Sequence, residues 1–142
     1  MRRVDRRLGP FVSKNWSEVR RYFENAAIVH LATLMPDGAP HSVPVWASVH
    51  ENGIAVFMET GSRKDKNLLA DPRAALSVTD PANALDMAFV RGRAVRRIEG
   101  ADALPIVDRI SREYTGDAYP LRTGLVSYVI QPEVSWSRDH SE

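Results

Sequence analysis

The chain has 142 residues, 44% of them hydrophobic and 26% charged, with a formal net charge of +1 and no cysteine. Near neutrality argues against nucleic acid as a partner, because gripping a phosphate backbone calls for a basic excess; the lack of cysteine excludes disulfides, thiolate metal sites and thiol nucleophiles, and suits a reducing cytoplasm. No apolar run approaches the roughly 18 residues of a membrane span, and the length suits one domain with a real core.

Residues 1–12 carry Arg2, Arg3, Arg6 and Arg7 with no long apolar stretch behind them, so they read as a flexible basic tail and not a secretory leader. Trp16, Val19, Tyr22 and Phe23 then recur at helical spacing, predicting a short amphipathic helix over 16–24 capped near Asn15 or Ser17. Residues 27–35 are apolar on both faces, as a strand covered on two sides would be. The turn residues Pro36, Asp37 and Gly38 follow. From 42 to 50 the chain alternates, with Val43, Val45, Ala47 and Val49 on one face and Ser42, Pro44, Trp46, Ser48 and His50 on the other. Asn52-Gly53 is a hairpin signal, since both residues tolerate positive φ. It returns the chain as a strand over 54–59, and the three strands read as an antiparallel meander.

The stretch after that strand carries a charge puzzle. Gly61 and Ser62 turn the chain, and residues 63–70 read as a short helix stopped by Asp71-Pro72. The first turn of a helix is partially positive and prefers Asp or Glu. Here it holds Arg63, Lys64 and Lys66 against Asp65. Such crowding costs free energy unless an anion sits there; a phosphate would take both the free N–H groups and the Arg and Lys donors. A solvated basic turn is the other reading, and these residues alone leave both open.

A fourth strand is expected over 74–79. A long fifth follows over 85–98, in which Gly92 marks a bulge or tight bend. Leu104, Val107, Ile110 and Tyr114 form one stripe of a second amphipathic helix over 103–114, which Gly116 ends. A sixth strand over 125–130 is broken or kinked by Pro132 before Val134-Ser135-Trp136. Mainly antiparallel strands with two to three short helices predict a mainly β (α+β) chain folded as a six-stranded antiparallel split β-barrel. Closure would remove exposed edges. A barrel this small is filled by its own side chains, so a large ligand must lie on the outer wall, where two subunits meet.

The order of these elements resembles the split-barrel flavoproteins of the pyridoxamine 5'-phosphate oxidase-like superfamily. Four signatures carry the resemblance: the strand and turn from Leu31 to His41; Val43-Pro44-Val45-Trp46; Gly61-Ser62-Arg63-Lys64 with Asn67-Leu68 and the following Asp71-Pro72-Arg73-Ala74-Ala75-Leu76; and Val90-Arg91-Gly92-Arg93-Ala94. They span roughly residues 26 to 98, and Pro132-Glu133-Val134-Ser135-Trp136 resembles the family's closing strand. The pattern is most similar to the branch that uses the deazaflavin coenzyme F420.

The resemblance implies a homodimer with two cofactors at its interface, F420 by first choice and FMN as the alternative. It implies hydride transfer between the deazaflavin C5 and an electrophilic carbon of a small organic substrate, the protein positioning the cofactor that performs the chemistry. It assigns Thr60, Ser62, Arg63, Lys64 and Asn67 to the phosphate end, and Val43, Pro44, Val45 and Trp46 to the ring side. A non-catalytic carrier of either cofactor is a further alternative. The end of the chain, Trp136-Ser137-Arg138-Asp139-His140, lacks the substrate segment of true pyridoxamine phosphate oxidases, which argues against pyridoxal phosphate synthesis. No acid–base pair stands out, so no catalytic residue is assigned. His30 reads as a strand residue, His41 as either a strand residue or a cofactor contact, and Arg91 and Arg93 as local charge balance or contacts to an anionic tail. His30, His41 and His50 have no metal-ligand spacing.

Overall fold

The strand expected over 42–50 is two strands, and the break at Trp46 organises the molecule. The computed structural model describes residues 14–142, and the basic tail expected over 1–12 lies outside them. Strands β1 (Val29–Leu34), β2 (Pro40–Val45), β3 (Ala47–His50) and β4 (Gly53–Glu59) are followed by β5 (Arg73–Asp80), β6 (Asn83–Glu99) and β7 (Leu125–Asp139). They form one sheet in the order β2-β1-β5-β6-β7-β4-β3, every ladder antiparallel.

β2 and β3 are therefore the two terminal strands of the sheet, although only Trp46 separates them in the chain. The sheet must curl until its ends meet there. The expected six-stranded closed barrel is corrected to seven strands, with no ladder between β2 and β3 among the described residues. The expected meander is corrected with it: β1 pairs with β2 and β3 with β4, but these hairpins lie at opposite ends of the order. β2 is an edge strand with no fully buried residue, which is where Pro40 and Pro44, lacking N–H donors, are tolerated.

Other boundaries differ for identifiable reasons. Gly53 is not in the turn; it pairs with His50 inside the β3–β4 ladder, and the positive φ of 53° falls on Glu51. Glycine is needed at 53 for closeness, since a Cβ there would lie 2.6 Å from the Ile130 carbonyl oxygen. Pro132 does not break β7, which runs on to Asp139. The β4 ladder stops at Ile130, and β6 shifts register opposite, between Arg91 and Gly92. No ladder on the β4 side then needs the donor that Pro132 lacks. That register shift is the bulge Gly92 foretold. β1 buries only one face, leaving His30 exposed.

The helices follow the sequence more closely. α1 (Trp16–Val19) starts at Asn15, whose N–H donates to Glu18 at 3.1 Å, and continues as a 3-10 turn over Arg20–Phe23. α2 (Arg63–Ala70) has the expected bounds. α3 (Leu104–Thr115) follows a 3-10 turn over Gly100–Ala103 and ends at Gly116 with φ 87°. The curled sheet closes over a core that includes Leu31, Ile54, Val56, Leu76, Val90, Val126 and Ile130, plugged at one end by Val19, Tyr22 and Phe23. α3 covers the other side, packing Ile106 and Ile110 against Ala55 beside Trp46 and Phe57. Among the described residues no helix is long and apolar enough to cross a membrane.

Candidate functional site

Where the sheet ends meet, Ile28, Pro44, Val45, Trp46, Phe57, Lys64 and Tyr119 line an open groove of about 410 Å³. Pro44, Val45 and Trp46, read from sequence as ring-side residues, thus share a wall with Lys64 of the basic turn. Val43 lies further along β2, half-buried and paired with Leu31. His41 is further still, opposite Thr33, and does not line the groove.

The local geometry of Trp46 comes from Tyr114 on α3. The Tyr114 hydroxyl donates to the Ala27 carbonyl at 2.5 Å and accepts the Ala47 N–H at 3.1 Å, pinning the chain beside the strand break. The two rings stack with centroids 5.0 Å apart and planes 13° apart. Burial pushes the Tyr114 phenol up, so it stays protonated and able to donate. Phe57 and Tyr119 meet edge to face at 4.9 Å and stand against Trp46. Tyr119 lies in a segment without periodicity, and Tyr114 reads in sequence as one member of a core stripe. Neither carried a signal of this placement.

The basic turn is built on Asp65. Its backbone N–H donates to the Ser62 hydroxyl at 3.4 Å, which caps α2. Its carboxylate accepts the Gly61 N–H at 2.8 Å, both arms of Arg97 at 3.0 Å and the Tyr128 hydroxyl at 2.6 Å. Burial alone would raise the Asp65 pKa; the bonds from Arg97, Gly61 and Tyr128 outweigh it and hold the carboxyl below its ordinary range. Asp65 supplies the built-in anion of the helix start, yet its charge is already matched by Arg97. Arg63, Lys64 and Lys66 form no ion pair with any described residue, and the backbone N–H groups of Arg63 and Lys64 donate to no turn, loop or cap acceptor among the described residues.

The remaining turn residues divide. Thr60 is exposed, and its N–H donates to the Gly124 carbonyl at 2.9 Å. Asn67 is buried: its amide donates to Thr33 Oγ1 at 3.0 Å, tying α2 to β1, and its carbonyl faces Arg63 at 3.5 Å. The structure thus gives Asn67 a holding position beneath Arg63. Arg93 pairs with Glu133 at 3.1 Å and Arg91 lies over the Phe89 ring, so both guanidinium groups have local partners. Among the described residues there is no cluster of His, Asp or Glu fit to hold a metal ion.

On the outer face of the sheet, Ile28, His30, Ser77, Phe89 and Trp136 border a hollow of about 280 Å³, with Phe89 and Trp136 stacked at 5.5 Å. Ile28, 52% exposed, borders both this hollow and the groove.

Comparison with known proteins places this arrangement in a family. Curated protein sequences gave no match. Among solved structures, an F420 reductase superposes with a TM-score of 0.75 at 24% identity, over 83% of this chain and 95% of that one. A conserved hypothetical protein from Mycobacterium tuberculosis does so at 0.75 and 24%, over 91% and 87%. General Stress Protein 26 from Bacillus anthracis str. Sterne follows at 0.67 and 16%, over 87% and 93%. At these identities the likeness is one of fold. The sequence profile of the pyridoxamine 5'-phosphate oxidase family matches residues 16–138, nearly the whole described chain, and the protein belongs to that family.

Proposed function

We propose that the protein is an F420-dependent oxidoreductase that transfers hydride between the deazaflavin and a small organic substrate, working as a cytoplasmic homodimer. The observation that carries this reading is that Lys64, on the basic turn, and Pro44-Val45, at the end of the terminal strand β2, with Trp46 at the strand break, line one groove. A ligand with an anionic end and a flat ring finds both features within its reach. The residues fit the cofactor class: unpaired cations and unbonded N–H groups at the start of α2 suit a phosphate. The likeness in fold to an F420 reductase adds to the case.

In this reading Arg63 and Lys64 hold the phosphate with help from the Ser62 hydroxyl and Thr60, while Asn67 keeps Arg63 in place. The β2 residues Val43, Pro44 and Val45 present the edge-strand backbone to the ring, and Trp46, fixed by Tyr114, bounds it. When bound, the deazaflavin would supply the hydride chemistry, and the part of these residues is to hold and orient it. A second copy docked on the outer face at Ile28 would extend the groove across a subunit boundary, because Ile28 borders both hollows.

Membership of the pyridoxamine 5'-phosphate oxidase family supports FMN as a second reading, since the same turn serves either phosphate. Parallel titration of the apoprotein with F420 and FMN tests both. Saturable binding that favours F420 is expected; preference for FMN would move the assignment to the second reading, and binding of neither would overturn both. Tight binding without turnover of any acceptor would identify a carrier.

A further inference from the structure

The segment joining α3 to β7 is held in a way that a simple connection does not require. It leaves α3 at Gly116, with φ 87°, and enters β7 after Gly124, with φ 72°. Between them the Asp108 carboxylate, on α3, accepts both arms of Arg122, at 2.8 and 3.0 Å, and the backbone N–H of Tyr119 at 3.2 Å. Arg122 also donates to the Tyr119 carbonyl at 2.9 Å. The main chain of Tyr119 is therefore clamped on both sides, and the Gly124 carbonyl is tied to the basic turn through Thr60.

Exposed ion pairs ordinarily contribute little. This one is bidentate, its carboxylate side chain is only 14% exposed, and two backbone bonds share the same groups. Such a fork fixes direction as well as distance. The Arg122 guanidinium in turn holds the Asp108 carboxyl below its ordinary range, so the latch stays charged near neutrality. What it aims is the Tyr119 ring, whose plane stands at 87° to Trp46 and 73° to Phe57.

We propose that Tyr119 is the specificity-determining residue of the groove, with Asp108 and Arg122 as its positioning residues. Two aromatic planes at a right angle form a corner in which a flat conjugated ring can stack along one plane and present its edge to the other. With Lys64 on the same wall, the corner favours a planar ring whose anionic end points toward the start of α2. The inference rests on the reading that this groove receives the ring of a flavin or deazaflavin.

The test compares wild type with Tyr119→Phe, Tyr119→Ala, Asp108→Asn and the exchanged pair Asp108→Arg/Arg122→Asp. Each is titrated with FMN, F420 and inorganic phosphate, with thermal melting to confirm folding and limited trypsin digestion at Arg122 of the ligand-free wild type and Asp108→Asn. Tyr119→Ala and Asp108→Asn are expected to weaken binding of the ring-bearing ligands by about three- to tenfold, the range of an aromatic contact, with phosphate affinity retained. Asp108→Asn should be cut faster at Arg122 than wild type. The exchanged pair should not recover affinity, because a guanidinium at 108 cannot accept the Tyr119 N–H and a carboxylate at 122 cannot donate to its carbonyl, and Tyr119→Phe should lose less than Tyr119→Ala. Wild-type protein that binds neither cofactor overturns the underlying reading and this inference with it. Cofactor binding by wild type with Tyr119→Ala unchanged, or with Tyr119→Phe as weak as Tyr119→Ala, overturns the inference alone.

Discussion

Arg97 sets its guanidinium fork on both oxygens of Asp65, Nε to Oδ1 and Nη2 to Oδ2, each at 3.0 Å. The Asp65 side chain is 2% exposed and that of Arg97 20%. Removing one partner of a buried pair leaves the other charge unmatched. Arg97→Met is therefore expected to destabilise the protein by about 2–4 kcal/mol, the lower end reflecting partial solvation of the guanidinium. Urea unfolding measures this. Because Asp65 also holds the Gly61 N–H, the variant should lose phosphate-end affinity under conditions where it remains folded.

The same cluster gives stability a pH dependence on both sides. Burial and the Asp65 hydrogen bond push the Tyr128 phenol from 10.0 up to about 12. Its contribution is full below the unfolded value and is lost as pH rises through the folded one, so stability should fall across that alkaline window. Tyr128→Phe should flatten that part of the curve. Asp65 acts in the opposite sense: its folded value is depressed, so its contribution is present above the unfolded value and lost as pH falls through the folded one. Denaturation midpoints across pH, wild type against Tyr128→Phe, show whether the alkaline slope belongs to this phenol.

Replacing Arg63 and Lys64 together by Ala should weaken cofactor binding by about 2–4 kcal/mol if both contact phosphate. Neither forms an ion pair with a described residue, so folding stability should change little. The wild-type affinity should fall with added salt and that of the variant less steeply. Equal affinity in variant and wild type would put the phosphate elsewhere.

What the sequence made legible was local chemistry. α2 starts at Arg63 because Ser62 caps it and stops before Asp71-Pro72, and Gly92 announced its bulge. The split at Trp46 was hidden, because alternation continues through it and the break is held by Tyr114, far along the chain. Tyr119 was invisible for the same reason: its position is set by Asp108 and Arg122, and no periodicity marks the segment that carries it. Pro132 misled because a proline breaks a strand only where a neighbour needs its N–H. Charge crowding at Arg63, Lys64 and Lys66 was readable, but Asp65 as the centre of a buried network was not, since Arg97 and Tyr128 approach from distant strands.

Gly92 packs so tightly on β7 that a Cβ would lie 2.0 Å from the Gln131 carbonyl oxygen and 3.2 Å from Pro132 Cα. Both are backbone atoms, so relief requires the β6–β7 ladder to move. Gly92→Ala should cost about 3 kcal/mol or more, the upper range for overpacking. The control is Gly38→Ala, where φ is +86° but nothing lies within 4 Å; its cost should be confined to the roughly 1–2 kcal/mol of left-handed backbone strain. Thermal unfolding of the two variants side by side ranks the effects, and a larger loss at Gly38 would contradict the close approach.

Tyr114→Phe tests whether the strand break positions the groove. The substitution keeps the ring stacked on Trp46 but removes the hydroxyl that satisfies the Ala27 carbonyl and the Ala47 N–H. Leaving buried backbone groups unpaired costs about 1–3 kcal/mol, which chemical denaturation will read. The functional consequence is separable from that loss. Ala47 adjoins Trp46, so freeing its N–H lets the start of β3 shift and widens the groove where Pro44 and Val45 meet Lys64. Tyr114→Phe should therefore weaken the binding of ring-bearing ligands while leaving phosphate binding at the α2 start intact. Loss of both in proportion would mean that the hydroxyl serves general stability alone.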